Sequence, residues 1–206
     1  MDRTIDFYFD FISPFSYLAH QRLPDLAARY GYALAYHAAS LADLKQLAGN
    51  TAPRVTQIPL KLRYSRIDQQ RWADRYGVPI KPPEGSHDSS CLNRGFFFAE
   101  DRGRQREYVT NAWSKLRRDR RDMVDEKLWR DIAQELDWAP DEFVAFIRSD
   151  ASQQRYQAAT KQAHERGAFG VPTMLIGEEM WWGNDRLDFL EEFLKTSTAS
   201  ERRAVS

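Results

Sequence analysis

The chain has 206 residues, 42% of them hydrophobic, with six Trp, nine Tyr and twelve Phe, enough to fill one sizeable core and to exclude a disordered chain. Thirty basic and thirty acidic residues cancel, so no global field draws the molecule to nucleic acid or an anionic membrane. Cys91 is the only cysteine, which excludes an internal disulfide and a thiolate metal cluster.

Ile5, Phe7 and Phe9 alternate with Asp6, Tyr8 and Asp10, the period of a strand that turns one face to a core. The period then changes. Ser13 is of the residue type that caps helix starts, and Pro14 suits the first helical position, where its missing N–H has no partner to lose. Tyr17, Leu18, Leu23, Leu26, Ala27 and Tyr30 extend one helix to Gly31, a suitable left-handed C-terminal residue. Such a helix start favours an anion beside the Ser13 hydroxyl. Ser13-Pro14-Phe15-Ser16 has the spacing of a redox Cys-x-x-Cys at a strand-to-helix elbow, with hydroxyls in place of the sulfurs, so the redox couple is absent. A hydroxyl there can donate to the sulfur anion of another molecule; Ser13 can equally be a helix cap alone.

Residues 32–37 read as a second strand, completing a βαβ unit whose strands pair in parallel. His37 at its end reads as a structural histidine, with no ligand spacing or carboxylate partner near it and no metal expected. From Ser40 the pattern is helical: Leu41, Leu44 and Leu47, a loop at Gly49-Asn50-Thr51-Ala52-Pro53, helical stretches at 58–62 and 68–76, and an irregular segment over 78–90. Short amphipathic helices follow at 92–100, 108–116, 124–136, 141–147 and 154–165. The alternating run Arg117-Arg118-Asp119-Arg120-Arg121-Asp122 reads as a solvated connector. Gly170-Val171-Pro172-Thr173-Met174-Leu175-Ile176 and Met180-Trp181-Trp182 form a closing hairpin, and a cis Val171–Pro172 bond would free the Val171 backbone groups for an extended ligand. A last helix begins at Gly183-Asn184-Asp185, capped by Asn184 or Asp185, with Leu187, Phe189, Leu190, Phe193 and Leu194 as its buried stripe.

These elements describe an α/β chain: a thioredoxin-like domain over 1–39 and 168–196, a large all-helical insertion over 40–167 after the second strand, and a frayed tail over 197–206. Phe9-Asp10-Phe11-Ile12-Ser13-Pro14-Phe15-Ser16-Tyr17, Gly170-Val171-Pro172-Thr173 and Trp182-Gly183-Asn184-Asp185-Arg186-Leu187 resemble the signatures of the 2-hydroxychromene-2-carboxylate isomerases, relatives of the kappa-class glutathione transferases. The stretch from Glu84 to Cys91 departs from that pattern. The resemblance implies a glutathione-dependent cis–trans isomerase of small aromatic carboxylates, commonly a homodimer. It implies Ser13 as the catalytic donor to the glutathione thiolate, Val171 pairing with the glutathione backbone, and Trp182, Gly183, Asn184 and Asp185 at its γ-glutamyl end. It also implies Lys61 at the glycine carboxylate and Lys45 with Asn50 facing the substrate. A glutathione transferase or peroxidase, or a non-catalytic binding module, are the alternatives. No basic-then-apolar leader opens the chain and no stretch approaches about 18 apolar residues, so a cytoplasmic protein outside the membrane is expected.

Overall fold

The alternation over residues 5–9 puts Ile5, Phe7 and Phe9 wholly inside, where the Phe7 ring meets Tyr36 and the Phe9 ring meets Phe96 and Trp113, edge to face or tilted, at centroid distances of 5.3–5.8 Å. The computed structural model describes residues 3–204. Strand β1 (Thr4–Phe9) pairs in parallel with β2 (Ala33–Ala38), Tyr8 opposite His37, and antiparallel with β3 (Thr173–Ile176), Tyr8 opposite Thr173. The hairpin partner β4 (Glu179–Trp182) sets Trp182 opposite Thr173, giving the order β2-β1-β3-β4.

After β1 come α1 (Pro14–His20) and α2 (Leu23–Tyr30). One helix through to Gly31 was expected, and it is broken. Pro24, in the first turn of α2, excludes the carbonyl of His20 four residues back, so α1 ends after seven residues. Gly31 closes α2 at φ 71°, a left-handed conformation that glycine adopts without a Cβ penalty.

Between β2 and β3 the described chain is helical: α3 (Leu41–Leu47), a 3-10 turn (Val55–Gln57), α4 (Pro59–Tyr76), α5 (Ser90–Glu100), α6 (Gln105–Arg117), α7 (Glu126–Glu135), α8 (Pro140–Arg148) and α9 (Asp150–Glu165). The two helical stretches expected over 58–76 are one helix. One apolar cluster runs from Ile5 through Trp113 to Phe143, so α4 to α9 share the core that the sheet builds, whereas Leu44 of α3 packs in a second cluster with Tyr8, Ala163, Val171 and Leu175. The hairpin leads through a 3-10 turn (Asn184–Arg186) into α10 (Leu187–Ala204), which buries Leu187, Leu190 and Leu194. Phe189, expected in that stripe, is 55% exposed, because positions 187, 190 and 194 share a helical face that 189 does not. Neither Asn184 nor Asp185 caps the turn: the position before it is Gly183, without a side chain to do so. The helix continues to Ala204, across most of the segment expected to fray; residues 205 and 206 lie outside the described residues.

Two further expectations are corrected. His37 does have a carboxylate neighbour, Asp6 at 2.8 Å, which the parallel ladder supplies from a strand 31 positions away. Arg117, expected in a solvated connector, is buried, because it follows Trp113 by one helical turn on the inner face of α6.

Candidate active site

Ser13 stands at the elbow between β1 and α1 with φ −81° and ψ 113°. Its N–H donates to the Asp10 carbonyl at 3.0 Å, and its Oγ accepts from the Ser16 N–H at 3.1 Å, the N-cap bond expected of it. A serine hydroxyl carries one donor besides its acceptor capacity. No group among the described residues takes the Ser13 proton, so capping the helix leaves that donor available, although the residue is only 4% exposed.

The backbone before Ser13 is held by side chains from the helical segment. The Phe11 N–H donates to Asn93 Oδ1 at 3.2 Å and the Ile12 N–H to Asp10 Oδ1 at 3.1 Å. The carbonyls of Phe11 and Ile12 both accept from an Arg117 terminal nitrogen, at 3.3 and 3.1 Å. Asp10 also accepts from Ser89 Oγ at 2.5 Å, Asn93 Nδ2 at 2.7 Å and the Leu41 N–H at 2.9 Å, tying the starts of α3 and α5 to the elbow. Burial pushes the Asp10 carboxyl above its usual range, and these four donors pull against that shift. The buried Arg117 guanidinium is likewise pushed down, to about 10, by desolvation, which leaves it charged at neutral pH.

Sequence reasoning did not single out Asp10, Ser89, Asn93 or Arg117. Asp10 sits where the strand period calls for an outward polar residue, and Ser89 lies in the segment read as irregular. For Arg117 a signal existed: Tyr108, Val109, Ala112, Trp113 and Leu116 mark the buried face of α6, and Arg117 continues it.

The β1–β3 register carries Val171, two residues before Thr173, to the end of the sheet where the elbow lies. The Val171–Pro172 bond is cis, and neither the N–H nor the C=O of Val171 has a hydrogen-bond partner among the described residues. Gly170 is needed beside it, since a Cβ there would stand 2.9 Å from Trp182 Nε1. Gly183 donates to the Pro172 carbonyl at 2.9 Å, and its φ of 102° brings the chain round so that the Asp185 carboxylate folds back over it. Asp185 pairs with Arg186 at 3.2 Å. Asn184 is buried beside Tyr76, where its amide counters the rise that burial imposes on the phenol, and its Nδ2 completes no hydrogen bond of good geometry among the described residues. Because α1 packs on the Asn184–Arg186 turn, Ser13, Val171 and residues 182–185 come to one end of the sheet.

The remaining expected residues are less closely placed. Lys45 and Asn50 are neighbours, the Asn50 N–H donating to the Lys45 carbonyl at 2.8 Å; Lys45 is on α3, the helix whose first N–H is anchored to Asp10, and Asn50 lies three residues past its end. Lys61 is exposed in the first turn of α4, roughly 22 Å along the helix axis from Tyr76. Neither lysine has a carboxylate partner among the described residues. A separate cleft of about 620 Å³, lined by Tyr8, His37, Phe97, Arg155, Gln162 and Arg166 among others, includes none of these site residues; Arg155 and Arg166 are already paired with Glu100 and Asp6. Among the described residues no cluster of three metal-ligating side chains occurs, and no helix is long and apolar enough to cross a membrane.

The model of the DSBA-like thioredoxin domain matches residues 4–195. The 2-hydroxychromene-2-carboxylate isomerase of Pseudomonas putida is 42% identical over 187 residues, 91% of this chain and 92% of that one. A solved 2-hydroxychromene-2-carboxylate isomerase superposes with a TM-score of 0.92 at 39% identity, covering 98% and 99% of the two chains. Glutathione S-transferase kappa 1 of Caenorhabditis elegans is 32% identical over 80 residues, 38% of this chain and 34% of its own. The DSBA name describes the fold here: with serines at 13 and 16, and Cys91 half-buried on α5, the chain has no dithiol at the elbow.

Proposed function

The chain belongs to the 2-hydroxychromene-2-carboxylate isomerase family of DSBA-like thioredoxin domains, and on that premise we propose that it interconverts the cis and trans forms of such aromatic acids with glutathione as cofactor. The observation that carries this reading is the Ser13 hydroxyl, whose Oγ caps α1 while its proton is unspent at a rigid elbow. That proton is the donor a sulfur anion requires.

The residues present fit the cofactor. Val171 offers one free N–H and one free C=O, the pair that an extended peptide takes up as a short antiparallel ladder. The buried Asn184 amide, which makes no hydrogen bond of good geometry where it lies beside Tyr76, and the Asp185 carboxylate suit the α-carboxylate and α-ammonium of a γ-glutamyl group. Glutathione, when bound, supplies a thiolate able to add reversibly to a conjugated double bond and so free it to rotate. The part of Ser13 is to hold the sulfur charged and aimed; Val171 and residues 182–185 fix its carrier. Lys45 takes the substrate carboxylate, Asn50 its oxygens, and Lys61 the far carboxylate of the cofactor.

We place the protein in the cytoplasm, where reduced glutathione is available, in the breakdown of aromatic compounds. It works as a homodimer: the outer face of α4 exposes Leu60, Tyr64 and Ile67 at helical spacing, apolar surface of the kind a second copy covers. Following the ultraviolet spectrum of a 2-hydroxychromene-2-carboxylate with the purified protein tests the activity. Interconversion that requires reduced glutathione is expected, and an unchanged rate after the thiol is removed overturns the cofactor assignment.

A further inference from the structure

The positive end of a long helix was the expected reason for an anion to rest beside Ser13, but α1 has only seven residues and its dipole is correspondingly small. A stronger source of positive potential stands behind the elbow. Arg117 is 4% exposed, its terminal nitrogen lies 3.1 Å from the Ile12 carbonyl next to Ser13, and its Nε has no hydrogen-bond partner among the described residues. No carboxylate pairs with it among those residues; the ionisable group it faces is the Tyr17 phenol on α1. The nearest buried carboxyl, Asp10, is committed to four donors and grips the other side of Ile12, through the N–H rather than the carbonyl. Residue 12 is therefore held between a buried carboxyl and a buried guanidinium that do not neutralise each other.

A buried cation without a counter-ion is costly to the fold, and an anion delivered by a ligand offsets that cost. We propose that Arg117 is a positioning residue that stabilises the anion received at Ser13, fixing the elbow through the Phe11 and Ile12 carbonyls and supplying the positive field that the short helix lacks. Arg118, the other cation felt at Tyr17, lies beyond the end of α6 and plays the lesser part. This deepens the reading of Ser13 as the site of a bound sulfur anion. Two unit charges several ångströms apart in a partly buried setting interact by enough to move a thiol by about one to two pKa units.

The test places a thiol at the elbow itself, so that it needs neither glutathione nor turnover. In a Cys91→Ala background, Ser13→Cys is alkylated with iodoacetamide across a pH series to give the pKa of its thiol. A value at least one unit below the ordinary ~8.5 is expected. Adding Arg117→Met, which keeps volume and removes charge, raises that pKa by about one unit, and Arg117→Lys restores most of the difference. A merely structural role for Arg117 would change stability or rate and leave the thiol pKa where it was. Equal pKa values in the Arg and Met forms overturn the proposal. If the Met variant does not fold, a Ser13→Cys thiol at or above 8.5 overturns it alone. Calorimetry of the wild-type protein with reduced glutathione reports separately on the cofactor, so the two readings can fail independently.

Discussion

Two halves of the site are built differently. The elbow half, residues 10–13, has the backbone groups of Phe11 and Ile12 held by buried side chains from α5 and α6 at 3.1–3.3 Å, and Ser13 is almost covered. The gripping half is more open: around the buried Asn184, Trp182 is 52% accessible, Asp185, Arg186, Asn50 and Lys61 are exposed, and Lys45 and Lys61 have no carboxylate partner among the described residues. A donor that must meet a developing charge gains from being fixed beforehand, because no reorganisation is left for the reaction itself. Groups that must admit and release a flexible cofactor gain from remaining loosely committed. The division predicts that lesions in the first half damage fold and chemistry together, whereas lesions at the exposed residues of the second weaken binding alone.

Asp10→Ala breaks the comparison most severely. It leaves the Ile12 and Leu41 amides, Ser89 and Asn93 without their acceptor in a buried setting. At about 1–3 kcal/mol for each unsatisfied donor, and with relief from burying the carboxyl, a net loss of about 4 kcal/mol is expected in urea unfolding, together with loss of activity. A stability loss below about 1 kcal/mol would mean that the elbow does not depend on this carboxyl. Ser13→Ala comes next. It removes the cap bond, worth about 1 kcal/mol of stability, and the proton donor, for which a drop in kcat of about 10²–10³-fold is expected with the fold retained. A variant with near-wild-type kcat would leave Ser13 as a cap only.

The same division explains what could be read from the chain beforehand. The Ser13 elbow, the Val171–Pro172 opening and the 182–185 turn are local patterns, legible because strand period, cap chemistry and turn residues are written in neighbouring positions. The clamp on the elbow is not local: Asp10 meets Ser89 and Asn93 across 79 and 83 positions, and Arg117 reaches Ile12 across 105. Nothing in the spacing of a buried aspartate distinguishes it from the solvent-facing residue that strand alternation expects. The break after His20 was legible through Pro24, whose ring cannot follow a fourth residue of continuous helix, but the apolar stripe on both sides masked it. The sequence charge run at 117–122 misled for the opposite reason: its composition is that of a solvated loop, while its first residue belongs to the helix before it.

His20 sharpens the comparison through pH. It is buried between Thr110, at 3.0 Å, and Tyr36, at 3.2 Å, and burial pushes its pKa down to about 3, with the Arg106 charge adding to the effect. The folded state therefore keeps the imidazole neutral where the unfolded chain takes up a proton. Its contribution to stability is complete above the unfolded pKa of ~6.5 and is lost at about 1.4 kcal/mol per pH unit as the pH falls from there towards 3. His20→Gln should flatten the acid side of the stability profile by about that slope; an unchanged slope would place the proton uptake elsewhere.

The smallest effect is expected at Lys61, and its size tests whether the exposed half is as loosely committed as it looks. The side chain is exposed, stands in the first turn of α4 and has no carboxylate partner among the described residues, so removing it costs the fold nothing it was using. A carboxylate met by such a lysine gains about 0.5–1 kcal/mol, screened by salt. Lys61→Ala should therefore raise the KM for glutathione about two- to fivefold at low salt and leave kcat unaltered. The difference should vanish near 1 M salt, where the Debye length is about 3 Å. A tenfold or salt-resistant change would mean that Lys61 is desolvated when the cofactor binds, which requires α4 to close over the site or a second copy to cover it. No change at any salt would remove Lys61 from the cofactor's reach and leave the far carboxylate in solvent.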